Sequence, residues 1–93
     1  MSIILKFHDD GNENELSVSS SDKLIDVFQK YVSEQGGDPR VVTDRNIVIF
    51  FKGKKQLNKS DNISQSVQDI GLDQDSVIKV DWKGSRHYAL NET

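Results

Sequence analysis

Apolar residues recur along this chain with two periods, every second position and every third or fourth, and the changes between them mark its elements. Ile3, Leu5 and Phe7 alternate with Ile4, Lys6 and His8, the pattern of a half-buried strand. Asp9-Asp10-Gly11-Asn12 supplies residues that tolerate the positive φ of a hairpin turn, so the chain should reverse into a second strand carrying Leu16 and Val18 inward. Ser19-Ser20-Ser21-Asp22 follows, a polar stretch whose last members can accept hydrogen bonds from the free amides of a helix start. From Lys23 to Gln35, Leu24, Val27, Phe28 and Tyr31 return at three and four, with Ile25 and Val32 widening the stripe. This predicts an amphipathic helix able to cover one side of a sheet. Gly36-Gly37 ends it through the left-handed cap conformation, and Asp38-Pro39 confirms the stop.

Arg40 to Asn46 has no clear period and reads as a loop, with one more helical turn around Val41 and Val42 as an option. A central hairpin is expected over 46–57. Ile47 to Phe51 is a run of β-favouring residues, Gly53 lets the chain turn, and Leu57 gives the returning strand an inward anchor. With a period of two, Ile47, Ile49 and Phe51 share one face and Val48 and Phe50 the other. If a single helix covers one side of the sheet, Val48 and Phe50 are expected to face water beside Lys52, Lys54 and Lys55, as a docking surface. The plainer alternative is that the C-terminal segment folds over them. Beyond a polar loop at 58–62, Ile63, Val67 and Ile70 have the spacing of a short helix that ends at Gly71-Leu72. Ile78, Val80 and Trp82 then alternate with Val77, Lys79 and Asp81 in a last strand. The expected architecture is α+β: a mixed sheet of four to five strands, one main helix packed across it and a short second helix, all within residues 1–82. Residues 83–93 are polar and aperiodic and read as a flexible tail.

Composition narrows the chemistry. At 93 residues, with 34% hydrophobic and 29% charged content, the chain suits one small soluble domain, and no apolar run approaches a membrane span. The N-terminus reads as a strand and not as a secretory signal. The chain has no cysteine, so disulfides, a thiol nucleophile and cysteine-based zinc sites are excluded. His8 and His87 are the only histidines, and neither has neighbours at ligand spacing. Asp69, Asp73 and Asp75 are too few for a calcium loop. Lys52-Gly53-Lys54-Lys55 lacks the glycine spacing and the Ser or Thr of a phosphate loop. As a nucleic-acid patch that turn would join Arg45, Lys59 and either Lys83 or Arg86, with Phe50 to stack on a base, but the net charge of -3 weighs against it. No catalytic constellation, metal or cofactor is expected.

Three stretches carry a resemblance: Phe28 to Tyr31 leading into Glu34-Gln35-Gly36; the turn Phe50-Phe51-Lys52-Gly53-Lys54; and Gln68-Asp69-Ile70-Gly71-Leu72-Asp73-Gln74-Asp75-Ser76-Val77-Ile78-Lys79-Val80. In order and spacing they resemble the SUMO-like branch of the ubiquitin-like β-grasp family over residues 3–82. Trp82, with Gly84 just beyond, is similar to the ending of the C-terminal SUMO-like domains of the RENi genome-stability scaffolds. The resemblance implies a non-enzymatic nuclear module that binds the SUMO-conjugating E2 enzyme without a covalent bond. Its surface would be Val48, Phe50, Lys52, Gly53, Asp73 and Asp75, with Lys52 standing where SUMO carries an acidic residue. Conjugation is not expected, because a single glycine follows Trp82 where a modifier ends in two. SUMO-interacting motifs are not expected partners either, since the matching groove positions, Ser19, Ser20, Ile25 and Asp26, lack a basic rim. The alternatives are an adaptor that offers Val48 and Phe50 to another ubiquitin receptor, and a nucleic-acid-binding domain using the Lys52–Lys55 turn.

Overall fold

Two hairpins and one last strand form the sheet. The computed structural model describes residues 2–83. In chain order the elements are β1 (Ser2–Asp9), β2 (Asn12–Ser19), the helix α1 (Leu24–Glu34), a 3-10 helix (Pro39–Thr43), β3 (Val48–Lys52), β4 (Lys55–Gln56) and β5 (Val77–Trp82). The five strands lie in the order β2-β1-β5-β3-β4, with β5 parallel to β1 and antiparallel to β3. This is the α+β arrangement expected, with α1 as the main helix. The predicted tail from 83 onward, with Gly84 and His87, lies outside the described residues except for Lys83. That residue is held by its amide on Ile47 O at 2.8 Å and by an ion pair with Asp81 at 3.0 Å.

The first hairpin pairs without a slip from Ser2↔Ser19 to Asp9↔Asn12. Its two-residue turn places Asp10 at φ 52° and Gly11 at φ 82°, the left-handed values that favour aspartate and glycine. At the far end of α1 the amide of Gly36 reaches Ser33 O and that of Gly37 reaches Val32 O, with Gly36 at φ 82°. Those two bonds are a Schellman cap, and the predicted Gly36-Gly37 stop is realised in full.

Two local expectations are corrected. Asp22 does not cap the helix: the cap residue is Lys23, with no side-chain bond, and the Asp22 carboxylate accepts the Ser19 amide instead. The first helical amides donate to distant carbonyls, Leu24 N to Gln65 O and Ile25 N to Ile63 O, both at 2.9 Å. The predicted short helix over Ile63, Val67 and Ile70 is absent for the same reason. Its carbonyls serve α1, while Val67 N and Gln68 N donate back to Asp22 O and Ser20 O, so these groups are not free to pair with one another. The segment is a series of turns, with Val67 buried and Ile63 and Ile70 packed at the core's edge. The short second helix lies earlier, at Pro39–Thr43, where Asp38 caps the Arg40 amide and Val41 and Val42 are buried.

The core lies between α1 and one face of the sheet. Phe7 stacks on Tyr31 with centroids 4.2 Å apart and Phe28 on Phe50 at 4.1 Å, and the two stacks meet edge to face at 6.2–6.4 Å. Asn58, buried among apolar groups, accepts the Phe50 amide and donates to Val42 O and Val48 O. It supplies ladder bonds to β3 where the two-residue β4 has already ended.

Candidate docking surface

The two faces of β3 are the reverse of what was expected. Val48 and Phe50 are fully buried against α1, and Ile49 and Phe51 are the partly exposed pair on the open side of the sheet. Neither Val48 nor Phe50 is available to a partner in the folded chain. The reason lies in the second hairpin. Its two-residue turn at Gly53-Lys54 pairs Lys52 with Lys55 and Phe51 with Gln56, so Leu57, whose amide donates to Phe50 O, comes level with Phe50. Residues level across an antiparallel pair share a face. An inward Leu57 therefore brings Phe50 inward, a signal already present in the turn length.

The open face can be followed strand by strand. One row runs Glu13, His8, Lys79, Phe51 and Gln56, and the next brings Glu15 beside Lys6 and Lys6 beside Val77. Ile49 lies beside Asp81 at the other end of β5. His8 Nε2 sits 3.2 Å from Glu13 Oε2, an outer-face placement as expected. Val77 is the single exposed large hydrophobic among the described residues, at 45%. The β3–β5 register ends at Phe51↔Lys79, and Gly53 stands in the turn beyond the end of β3. Gly53 has φ 61°, and a Cβ there would meet nothing within 4 Å. Val77 pairs with Lys6 across the β1–β5 ladder. A groove of about 590 Å³ runs along the outer side of β5, from Val77 to Trp82, and is closed on one flank by His8 and the β1–β2 turn.

The loop before β5 is pinned in place. Asp73 Oδ1 accepts the Ser76 hydroxyl at 2.8 Å while the Asp73 amide donates to Ser76 Oγ at 3.0 Å. Gln74 Oε1 accepts the Ile4 amide, and the Asp75 amide donates to Ile4 O at 2.8 Å. Asp75 stands at φ 66°, its side chain exposed and 3.9 Å from Lys6 Nζ. The sheet register brings Lys52, Gly53, Asp73 and Asp75 to one end of the sheet. The apolar groups beside them are Phe51 and Val77, not Val48 and Phe50.

Among the described residues no three histidine or acidic side chains gather as a metal site, and no helix is long and apolar enough to cross a membrane.

No family model and no curated protein matches the sequence. Solved structures do match. The ubiquitin-like domain of an Arabidopsis thaliana protein, determined by NMR in solution, superposes with a TM-score of 0.71 at 12% identity, over 91% of this chain and 81% of that one. The fold is ubiquitin-like. In such a fold a helix occupies one face of the mixed sheet, and here the other face carries Val77 and Phe51.

Proposed function

We propose that this chain is a non-catalytic protein-interaction module that docks through the open face of its ubiquitin-like sheet, and that its partner is the SUMO-conjugating E2 enzyme, bound without a covalent bond. The observation that carries the reading is Val77: an exposed apolar side chain at the start of β5, just after the loop in which Asp73 and Asp75 are held. Gly53 allows close approach of a partner backbone, Val77 and Phe51 offer the apolar contact, and the two aspartates suit a basic rim. The choice of partner rests on the SUMO-like motifs in the sequence, which also support a nuclear genome-maintenance scaffold as the setting. Lys52 asks for an acidic group on the partner at that position.

The test is an NMR titration of the 15N-labelled chain with the E2 enzyme. Shifts confined to Phe51 through Lys54 and Asp73 through Val77, abolished by Val77→Glu and weakened by Asp75→Asn, are expected. A titration that leaves these resonances unmoved at ~100 μM enzyme overturns the choice of partner, since docking of useful strength lies near or below that Kd.

A further inference from the structure

A second concave site lies away from the docking face, between the turn before β3 and the turn after β4. It is a pocket of about 270 Å³ lined by Thr43, Arg45, Asn58, Lys59, Ser60, Asp61 and Ile63. Both walls are fixed from below. The buried Asn58 side chain ties Val42 O, Val48 O and the Phe50 amide together, and so holds the two ends of the 43–47 loop against its own backbone. Arg45 sits in a turn clamped by Asp44, which accepts the amides of Asn46, Ile47 and Val48. Lys59 opens a second turn, with its carbonyl accepting the amides of Asn62 and Ile63. The positions that carry the two cations are thus set before any ligand arrives.

The two cations are also unspent. Neither Arg45 nor Lys59 enters an ion pair among the described residues, whereas Lys6, Arg40 and Lys83 each do. The carboxylate next in sequence to Arg45, that of Asp44, is occupied by the Asn46 amide. The amides of Ser60 and Asp61 make no hydrogen bond within the described residues. Against two positive charges the lining holds one negative charge, Asp61, in a chain whose net charge is -3. An excess of positive charge with hydroxyl and amide donors nearby is complementary to a compact, multiply charged anion.

Size and lining narrow the ligand. The volume falls just below the ~300–1,000 Å³ of pockets that enclose whole small molecules. It therefore suits a charged group and its stem, not an entire cofactor. Ile63 is the one apolar side chain in the lining, and no aromatic ring is present to stack on a base, which disfavours a nucleotide. We propose that this pocket binds a phosphomonoester carried on a peptide side chain, with Arg45 and Lys59 on the phosphoryl oxygens and Ile63 against the stem. The fixed charge of Asp61 repels the phosphate and weakens the site. A phosphorylated partner segment would then be held independently of the docking face.

The test is a 15N–1H titration of the full chain with the blocked peptide Ala-Ala-phosphoserine-Ala-Ala, with the same peptide unphosphorylated, and with inorganic phosphate. The phosphopeptide is expected to shift Arg45 and Lys59 through Ile63 and to bind more tightly than inorganic phosphate, with no shift from the unmodified peptide. Arg45→Ala and Lys59→Ala should each weaken binding about tenfold, the scale of one charge-assisted hydrogen bond, and Asp61→Asn should strengthen it. All three positions are exposed, and an unchanged spectrum elsewhere verifies the fold of each variant. Equal affinity for phosphate and phosphopeptide, shifts spread over Lys52, Lys54 and Lys55, or binding indifferent to Arg45→Ala would each overturn the proposal.

Discussion

Asp9 and Trp82, 73 positions apart, meet where the indole Nε1 donates to Asp9 Oδ1 at 3.0 Å, and the other carboxylate oxygen accepts the Tyr31 hydroxyl at 2.8 Å. One buried side chain at the end of β1 thereby joins the middle of α1 to the last residue of β5. Asp9 belongs to the inward set of β1 by the same alternation that buries Ile3, Leu5 and Phe7. Trp82 forms one end of the outer groove, so this contact also fixes the groove's shape.

Trp82→Phe and Tyr31→Phe each remove one donor from that carboxylate. Each should lower stability by about 1.5–3 kcal/mol, the range for hydrogen bonds to charged groups. The double variant should depart from additivity, because both act on one acceptor. Urea unfolding followed by circular dichroism checks this without relying on the tryptophan signal.

The face assignment in β3 is tested by neighbours. Phe50→Ala empties a site in the four-ring cluster and should cost about 3–5 kcal/mol, while Phe51→Ala on the open side should cost well under that, near ~1 kcal/mol. Equal losses from the two would contradict the placement. On the proposed function, Phe51→Ala but not Phe50→Leu weakens partner binding.

Asn58→Ala removes the side-chain partner of the buried Phe50 amide and of the buried Val42 and Val48 carbonyls. At ~1–3 kcal/mol for each buried polar group left unpaired, the variant should lie near the limit of folding for a domain of this size. Amide exchange at Phe50 should accelerate first.

Asp75 occupies a left-handed position, which aspartate and asparagine tolerate and long side chains do not. Asp75→Asn should therefore leave stability within ~0.5 kcal/mol, and Asp75→Arg should cost ~1 kcal/mol before any effect on a partner. Thermal melts of the two variants separate backbone strain from lost charge.

Arg40 holds the Asp38 carboxyl down to about 2 from 3.8, mainly by its side-chain hydrogen bonds and then by its backbone amide. A carboxyl whose folded pKa lies below its unfolded value adds stability that is complete above about pH 4 and lost as pH falls toward 2. Arg40→Ala should return the Asp38 titration, read by carboxyl 13C shifts, toward 3.8.

Much of the fold was legible because its signals are local. The Asp10-Gly11 turn, the Gly36-Gly37 cap and the apolar stripe of α1 each depend on residues within one or two turns of chain, and each appears as expected. What was missed involves partners remote in sequence. Nothing near Lys23 reveals that Gln65 and Ile63 will cap α1, and nothing within Ile63 to Ile70 reveals that its backbone is already committed.

The docking face shows the same division. Alternation alone sorted β3 into Ile49 with Phe51 and Val48 with Phe50, and the structure keeps both pairs intact. A period of two divides residues into sets without saying which set is inside when both are apolar. That was decided by α1 settling over the face that Leu57, Ile78 and Val80 share with Phe50, where the aromatic stacking with Phe28 is available. Val77 was left outside by the same choice. The sequence thus determined the strands, the main helix and the sets of residues that act together, and only the packing of one helix on one side of the sheet decided which set became core and which became surface.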